Sequence, residues 1–185
     1  NSVAIPTEQN LIIFSEKFSD ASWTKFNATV NTATDPLNGA AAFSIRDSVA
    51  NNIHGILGTL TISPGLPITL SCYAKKGNRD YVVMGGGGAN VEVTSTWYNL
   101  ANGTIGTQAG KGNLGSSIES IGGGWYRCSI TTYMTSTHMP FVLPANADAS
   151  IVYTGNTTIA CYVWRYSVVH GFYAQPYVKT TTMPI

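Results

Sequence analysis

The stretch IGGGWYRCSI, Ile121 to Ile130, joins a glycine turn to an aromatic-led strand. Three consecutive glycines open backbone conformations that side chains resist, so a tight reversal is inexpensive there. Beyond the turn, Tyr126, Cys128 and Ile130 fall on one face of an extended segment, and Arg127, Ser129 and Thr131 fall on the other. The first face suits a core and the second suits water.

The same alternation recurs on either side of this stretch. In PITLSCYAKKG, Ile68, Leu70, Cys72 and Ala74 alternate with Thr69, Ser71 and Tyr73, which predicts a half-buried strand closed by a glycine turn. DYVVM, Asp80 to Met84, is expected to return as its hairpin partner. Gly85 to Gly88 lack the Lys-Ser/Thr and following helix of a phosphate loop, so they read as a flexible connection or bulge. VEVTSTWYNL is a further strand, ending where Asn102-Gly103 signals a turn, and GTIGTQAG returns from it. TIACYVWRYSVV is apolar on both faces, as a central strand between two layers would be.

NLIIFSEKF, AAAFSIRD, NIHGILGTLTI and HMPFVLPA complete the candidate strands, each bounded by Pro, Gly, Asn or Asp. No amphipathic helix is legible; Ser19 to Phe26 predicts one short turn, with Trp23 plugging an end of the core. Short strands separated by turns at intervals of roughly 8–12 residues predict an all-β, two-sheet antiparallel sandwich, a jelly roll with its first and last strands close together.

The 185 residues suit a single domain spanning 1–185, with 1–9 and 179–185 as extended arms. Charged residues make up only 10% against 44% hydrophobic, and the net charge is +1, which gives nucleic acid no basic footprint. No apolar run approaches the roughly 18 residues that a membrane helix needs, so no membrane insertion is expected. Cys72, Cys128 and Cys161 allow at most one internal disulfide, and their apolar surroundings read them as small buried hydrophobes. Without Cys-x-x-Cys or His-x-His spacing, no metal cluster is expected.

Six segments in order, NLIIFSEKFSDASWTKF, DPLNGAAAF, PITLSCYAKKGNRDYVVM, WYNLANGTIGT, IGGGWYRCSIT and YVWRYSVVHGFYAQPYVKTTT, resemble a carbohydrate-binding-module-like jelly roll that recurs in bacteriophage structural proteins. The most specific pieces are the Asn10–Glu16 opening with Trp23, Tyr73 to Gly77, Leu100 to Thr104, and Gly124 to Cys128. The resemblance implies a module on the virion surface, in a tail fibre, tailspike or head fibre, often beside other domains; in a particle contacting other virion proteins, symmetric homo-oligomers are expected, with trimers favoured. The chain departs from the family's usual close: Arg165, Tyr166, Ser167 and Val169 replace Gly, Ala, Gln and Glu, and Lys179 replaces a Pro.

Many such jelly rolls hold a structural calcium between first and last strands. Glu16 and Asp20 supply oxygens at the corresponding opening. Arg165 on the other side predicts an ion pair with Glu16 in the cation's place, so no metal or other cofactor is expected. Catalysis is not expected either. Glycoside hydrolysis needs two carboxylates across a cleft, the carboxylates here mostly stand beside turn residues, and His54, His138 and His170 are isolated.

Recognition of a host-surface polysaccharide is the leading expectation. A sugar presents apolar C–H faces rimmed with hydroxyls, so its groove combines aromatic rings with polar side chains. Arg79, Tyr81, Trp97, Tyr98 and Asn99 are the residues expected to form it, while Trp23 and Trp125 are assigned to the core. The alternatives are a capsid decoration protein whose surface serves subunit contacts, and an accessory module of a polysaccharide-degrading enzyme.

Overall fold

The computed structural model describes residues 10–61, 65–87, 93–133 and 137–184. Among them the secondary structure is all β. The strands are β1 (Thr24–Phe26), β2 (Ala28–Ala33), β3 (Ala42–Asp47), β4 (Asn51–Asn52), β5 (Gly55–Leu57), β6 (Leu60–Thr61), β7 (Pro67–Lys76) and β8 (Tyr81–Gly87). They continue with β9 (Thr94–Asn99), β10 (Thr104–Ala109), β11 (Asn113–Gly122), β12 (Trp125–Tyr133), β13 (Thr137–Ala145), β14 (Tyr153–Thr154) and β15 (Ile159–His170).

Two antiparallel sheets face each other, as expected. The first runs β1-β5-β13-β8-β9-β10 with β6 beside β13; the second runs β11-β12-β7-β15-β3-β2, and β4 and β14 form a small ribbon. The inward residues of β7 and β12 are those that the alternation selected: Leu70 lies opposite Ile130 and Cys72 opposite Cys128, all fully buried. Val82, Met84, Tyr98 and Val142 of the first sheet close on them to form the main core. Each large apolar side chain so buried contributes about 1.5–3 kcal/mol. At the β11–β12 turn, Gly122, Gly123 and Gly124 all take positive φ, which accounts for the glycine run.

Four expectations about individual segments are corrected. β7 and β8 are not a hairpin: β7 pairs with β12 and β15, whereas β8 pairs with β9 and β13. Gly77 to Asp80 therefore arch from one sheet to the other. Gly85 to Gly87 are strand rather than a flexible connection, and a Cβ on Gly85 would lie 2.0 Å from the Thr94 carbonyl oxygen. Gly88 and Glu92 lie outside the described residues. Asn10 to Phe18 form no strand; their place beside β15 is set by backbone bonds from Leu11 N to Val168 O (2.8 Å) and from Tyr166 N to Ser15 O (2.9 Å) and by the Asn10 side chain, which donates to Tyr166 O (3.1 Å) and Val178 O (2.9 Å) and accepts from Val168 N (3.0 Å).

The fourth correction concerns the arms. Residues 1–9 lie outside the described residues, but Lys179 to Thr181 are tied back onto the domain: Thr180 is buried and its N–H donates to Ser15 Oγ at 2.9 Å. Trp23 is fully buried in the main core, with its indole donating to Phe14 O at 3.2 Å. Trp125 is buried elsewhere than expected, on the outer face of the second sheet with Ala42 and Trp164.

Candidate functional site

Of the five residues expected to bind sugar, Tyr81, Asn99 and Trp97 share the outer side of β8 and β9, with Tyr81 directly opposite Asn99, but the five do not form one exposed face. Tyr98 points inward, has no exposed surface, and donates its hydroxyl to Ser129 O at 2.6 Å across the sandwich. Burial holds its phenol well above the ordinary value. Trp97 points outward but is 7% exposed, because the segment from Asn146 to Asn156 folds over it; its indole donates to Ser150 O at 3.1 Å. Asp148 pins that segment by accepting from Thr107 N (2.8 Å) and Thr107 Oγ1 (3.1 Å). The two ring nitrogens of His54 anchor it too, lying 2.7 Å from Asn27 O, 3.1 Å from Ala50 O and 3.1 Å from Tyr153 O.

Arg79 is structural. Its Nη2 lies 2.7 Å and its Nε 3.2 Å from one carboxylate oxygen of Asp47, whose side chain is fully buried, and its guanidinium stacks 4.5 Å from the Tyr153 ring centre. Asn99 accepts from Ala101 N (2.9 Å) and Asn102 N (3.3 Å), shaping the β9–β10 turn. Tyr81 is half-buried against the cluster that contains Trp97. Trp97 and Tyr98 are buried and Arg79 is committed to Asp47, so the proposed constellation is withdrawn.

The arrangement suited to a polar ligand lies instead on the outer face of the second sheet. Beyond His170 the chain turns back across this face as a strap. Gly171 O accepts from Thr69 Oγ1 at 2.9 Å, Phe172 O accepts from Thr131 Oγ1 at 3.2 Å, and Gln175 O accepts from Arg127 Nη2. Between strap and sheet runs a groove of about 510 Å³. Its floor is the outer side of β11 and β12: Ser117 opposite Ser129, and Glu119 opposite Arg127. Its wall is Phe172 and Tyr173, 55% and 78% exposed.

These groups leave hydrogen-bonding capacity unused. Ser117 Oγ and Ser129 Oγ are 2.7 Å apart, so one donates to the other and one hydroxyl proton stays available. Arg127 is held by Gln175 O and lies 5.7 Å from the Tyr73 ring centre, yet its buried Nε has no hydrogen-bond partner. The alternation placed Arg127, Ser129 and Thr131 together on the outer face of β12, but that face does not meet water throughout: Ser129 and Thr131 are buried, and the strap bonds to Thr131. Phe172 and Tyr173 were missed because the strap has no period; their only signal is a pair of aromatic residues directly after a strand.

The opening and closing segments meet at Glu16. Its carboxylate lies 3.0 Å from Arg165 Nε and 3.0 Å from Lys179 Nζ, so the expected ion pair is present and a second cation joins it. The Arg165 guanidinium packs 3.9 Å from the Trp164 ring centre and 5.0 Å from that of Tyr177. Asp20, the other calcium candidate, turns to its own backbone and accepts from Ser22 N at 2.9 Å. That amide is the main reason its carboxyl sits below the ordinary range. Among the described residues no group of three or more His, Cys, Asp or Glu side chains is assembled for a metal.

No family model and no curated protein matches the chain. Among solved structures it is similar to the enzymatically active domain of tailspike protein 4 from bacteriophage CBA120, at 13% identity and a TM-score of 0.51, covering 88% of this chain and 21% of that one. It thus spans about a fifth of that domain. It is also similar to TmCBM27, a carbohydrate-binding module described for specific mannan recognition, at 11% identity and a TM-score of 0.43, covering 87% and 95% of the two chains. The tailspike likeness supports the fold alone: a two-sheet, all-β sandwich.

Proposed function

We propose that this chain is a non-catalytic glycan-binding module of a bacteriophage virion, displayed on a tail fibre, tailspike or head fibre. The groove between β11–β12 and the strap carries this reading. It combines an exposed ring, Tyr173, with unpaired donors and acceptors on a rigid two-stranded floor, which is the chemistry that a sugar's apolar face and hydroxyl rim require. Glu119 is the one carboxylate among the described residues that line it, and glycoside hydrolysis needs two. Trimeric assembly and a virion-surface location accompany this reading, with host polysaccharide as the ligand.

The test is an array of microbial polysaccharides probed with the wild type and with Tyr173→Ala. Removing a stacking ring is expected to weaken binding about 10-fold, by analogy with the 0.5–1.5 kcal/mol of aromatic contacts and the apolar area lost. Because Tyr173 is 78% exposed, the fold should be unaffected. Binding that is undiminished in Tyr173→Ala removes this groove as the site.

A second reading, a decoration protein that contacts neighbouring subunits, is favoured by a different surface. An apolar groove of about 430 Å³ on the outer face of the first sheet is lined by Phe26, Ile53, Leu57, Phe141 and Ile151, with Val93 half-exposed at its edge. If this surface makes the principal contact, Val93→Asp disrupts assembly on the particle and leaves glycan binding intact.

A further inference from the structure

The groove holds opposite charges that do not meet. Glu119 and Arg127 are direct cross-strand partners on the same face, where side chains ordinarily approach one another. Yet among the described residues neither has an ion-pair partner within 4.0 Å. Arg127 is drawn away, its Nη2 donating to Gln175 O and its guanidinium lying over Tyr73, while its buried Nε is left without a partner. The Glu119 carboxylate is exposed and can only accept. A charge-assisted acceptor and a charge-assisted donor therefore stand side by side with a gap between them.

From this we infer that the groove selects an uncharged sugar residue with adjacent hydroxyls, one donating to Glu119 and the other accepting from a free N–H of the Arg127 guanidinium. The inference rests on the glycan-binding reading above and adds the ligand class. A hydroxyl is donor and acceptor at once, so a vicinal pair satisfies both groups. A uronate or sialate carboxylate gains Arg127 but meets Glu119 as a like charge. A protonated amino sugar gains Glu119 and meets Arg127. Only the neutral residue satisfies both without repulsion, and Tyr173 stands exposed at the wall to cover its C–H face.

The experiment scores the same polysaccharide array by charge, with the wild type and Glu119→Gln. Glu119 is exposed, so an unchanged unfolding midpoint serves as the folding control. The wild type is expected to bind neutral polymers at least about 10-fold more tightly than uronate or sialate polymers. Glu119→Gln is expected to lose about 10-fold on the neutral ligands, the effect of one hydrogen bond to a charged group, and to gain on the acidic ones. Preferential wild-type binding of acidic polymers, or neutral binding unchanged in Glu119→Gln, overturns the ligand class and leaves the glycan reading standing. A wild type that binds no glycan overturns both.

Discussion

Arg79 is the residue whose role the structure changes most, and replacing it tests that change. Arg79→Met keeps the aliphatic stem and removes the guanidinium, leaving the Asp47 carboxylate with no exposed surface and no counter-charge. Removing one partner of a buried ion pair costs about 3–5 kcal/mol. Asp47 keeps two amide donors, Asn156 N at 3.3 Å and Thr158 N at 3.2 Å, which places the expected loss near the lower end, at about 3 kcal/mol. With a urea slope of about 2 kcal/mol per molar, the midpoint falls by about 1.5 M. Equilibrium unfolding followed by tryptophan fluorescence reads this directly. Glycan affinity, measured where the variant is folded, stays unchanged because Arg79 lies outside the groove. A midpoint shift below about 0.5 M, or a 10-fold loss of affinity in a folded variant, refutes the structural assignment and returns Arg79 to the ligand site. Asp47→Leu combined with Arg79→Met recovers only part of the loss, because Asn156 N is then left without an acceptor while Thr158 N keeps Asn156 Oδ1 at 3.3 Å.

Three further outcomes are expected. Glu16 is neutralised by Arg165 and Lys179, so we propose that no calcium is needed: chelator washing leaves the melting temperature unchanged, whereas Glu16→Ala costs about 1–3 kcal/mol, and a melt raised by several degrees on adding calcium contradicts this. The Asp35 carboxyl is pushed up by burial, but amides from Ala41, Gly39 and Leu37 outweigh that and, with Arg165, hold it below its ordinary value. Its ionised form thus contributes stability above the unfolded value of about 3.9, and that contribution is lost as pH falls through the lower folded value. Asp35→Asn should flatten the acid limb of the stability profile; parallel limbs in wild type and variant count against it. Burial pushes the Cys72 thiol up to about 12 and raises those of Cys128 and Cys161 as well, so a thiol reagent at about pH 8 leaves the native chain unlabelled and labels all three cysteines after denaturation. Fast labelling of the native protein contradicts that burial.

What was legible in the sequence follows from range. The alternation in β7 and β12 is local, and it identified the inward residues Leu70, Cys72, Cys128 and Ile130 as well as the outward Arg127, Ser129 and Thr131. Alternation assigns side chains to two faces; it does not say which face a distant segment covers. Trp97 is outward on β9, but Ser150, 53 residues later, roofs it over. Tyr98 is inward, and its partner Ser129 is 31 residues away. The reading of β7 and β8 as a hairpin failed for a related reason, since the short Gly77–Asp80 connection suits an arch between sheets as well as a turn within one. The apolar Leu11-Ile12-Ile13-Phe14 run imitates a strand, but its backbone bonds to Val168 O and Thr181 O, and that of the adjoining Ser15 O with Tyr166 N, are isolated and are supplemented by the Asn10 and Ser15 side chains, so no regular ladder forms. The candidate groove was half legible: its floor obeys the two-residue period, and its wall comes from a strap fixed by side chain-to-backbone bonds.

In the proposed complex, ligand is held between β11–β12 and the strap. Titrating the isotope-labelled protein with the oligosaccharide that binds best on the array, and following backbone and side-chain chemical shifts, tests it most directly. The largest changes are expected on Ser117, Glu119, Arg127, Ser129 and Tyr173, with the Arg127 guanidinium protons among them. Changes centred on Tyr81 and Asn99, or on the apolar groove around Phe141, would contradict it.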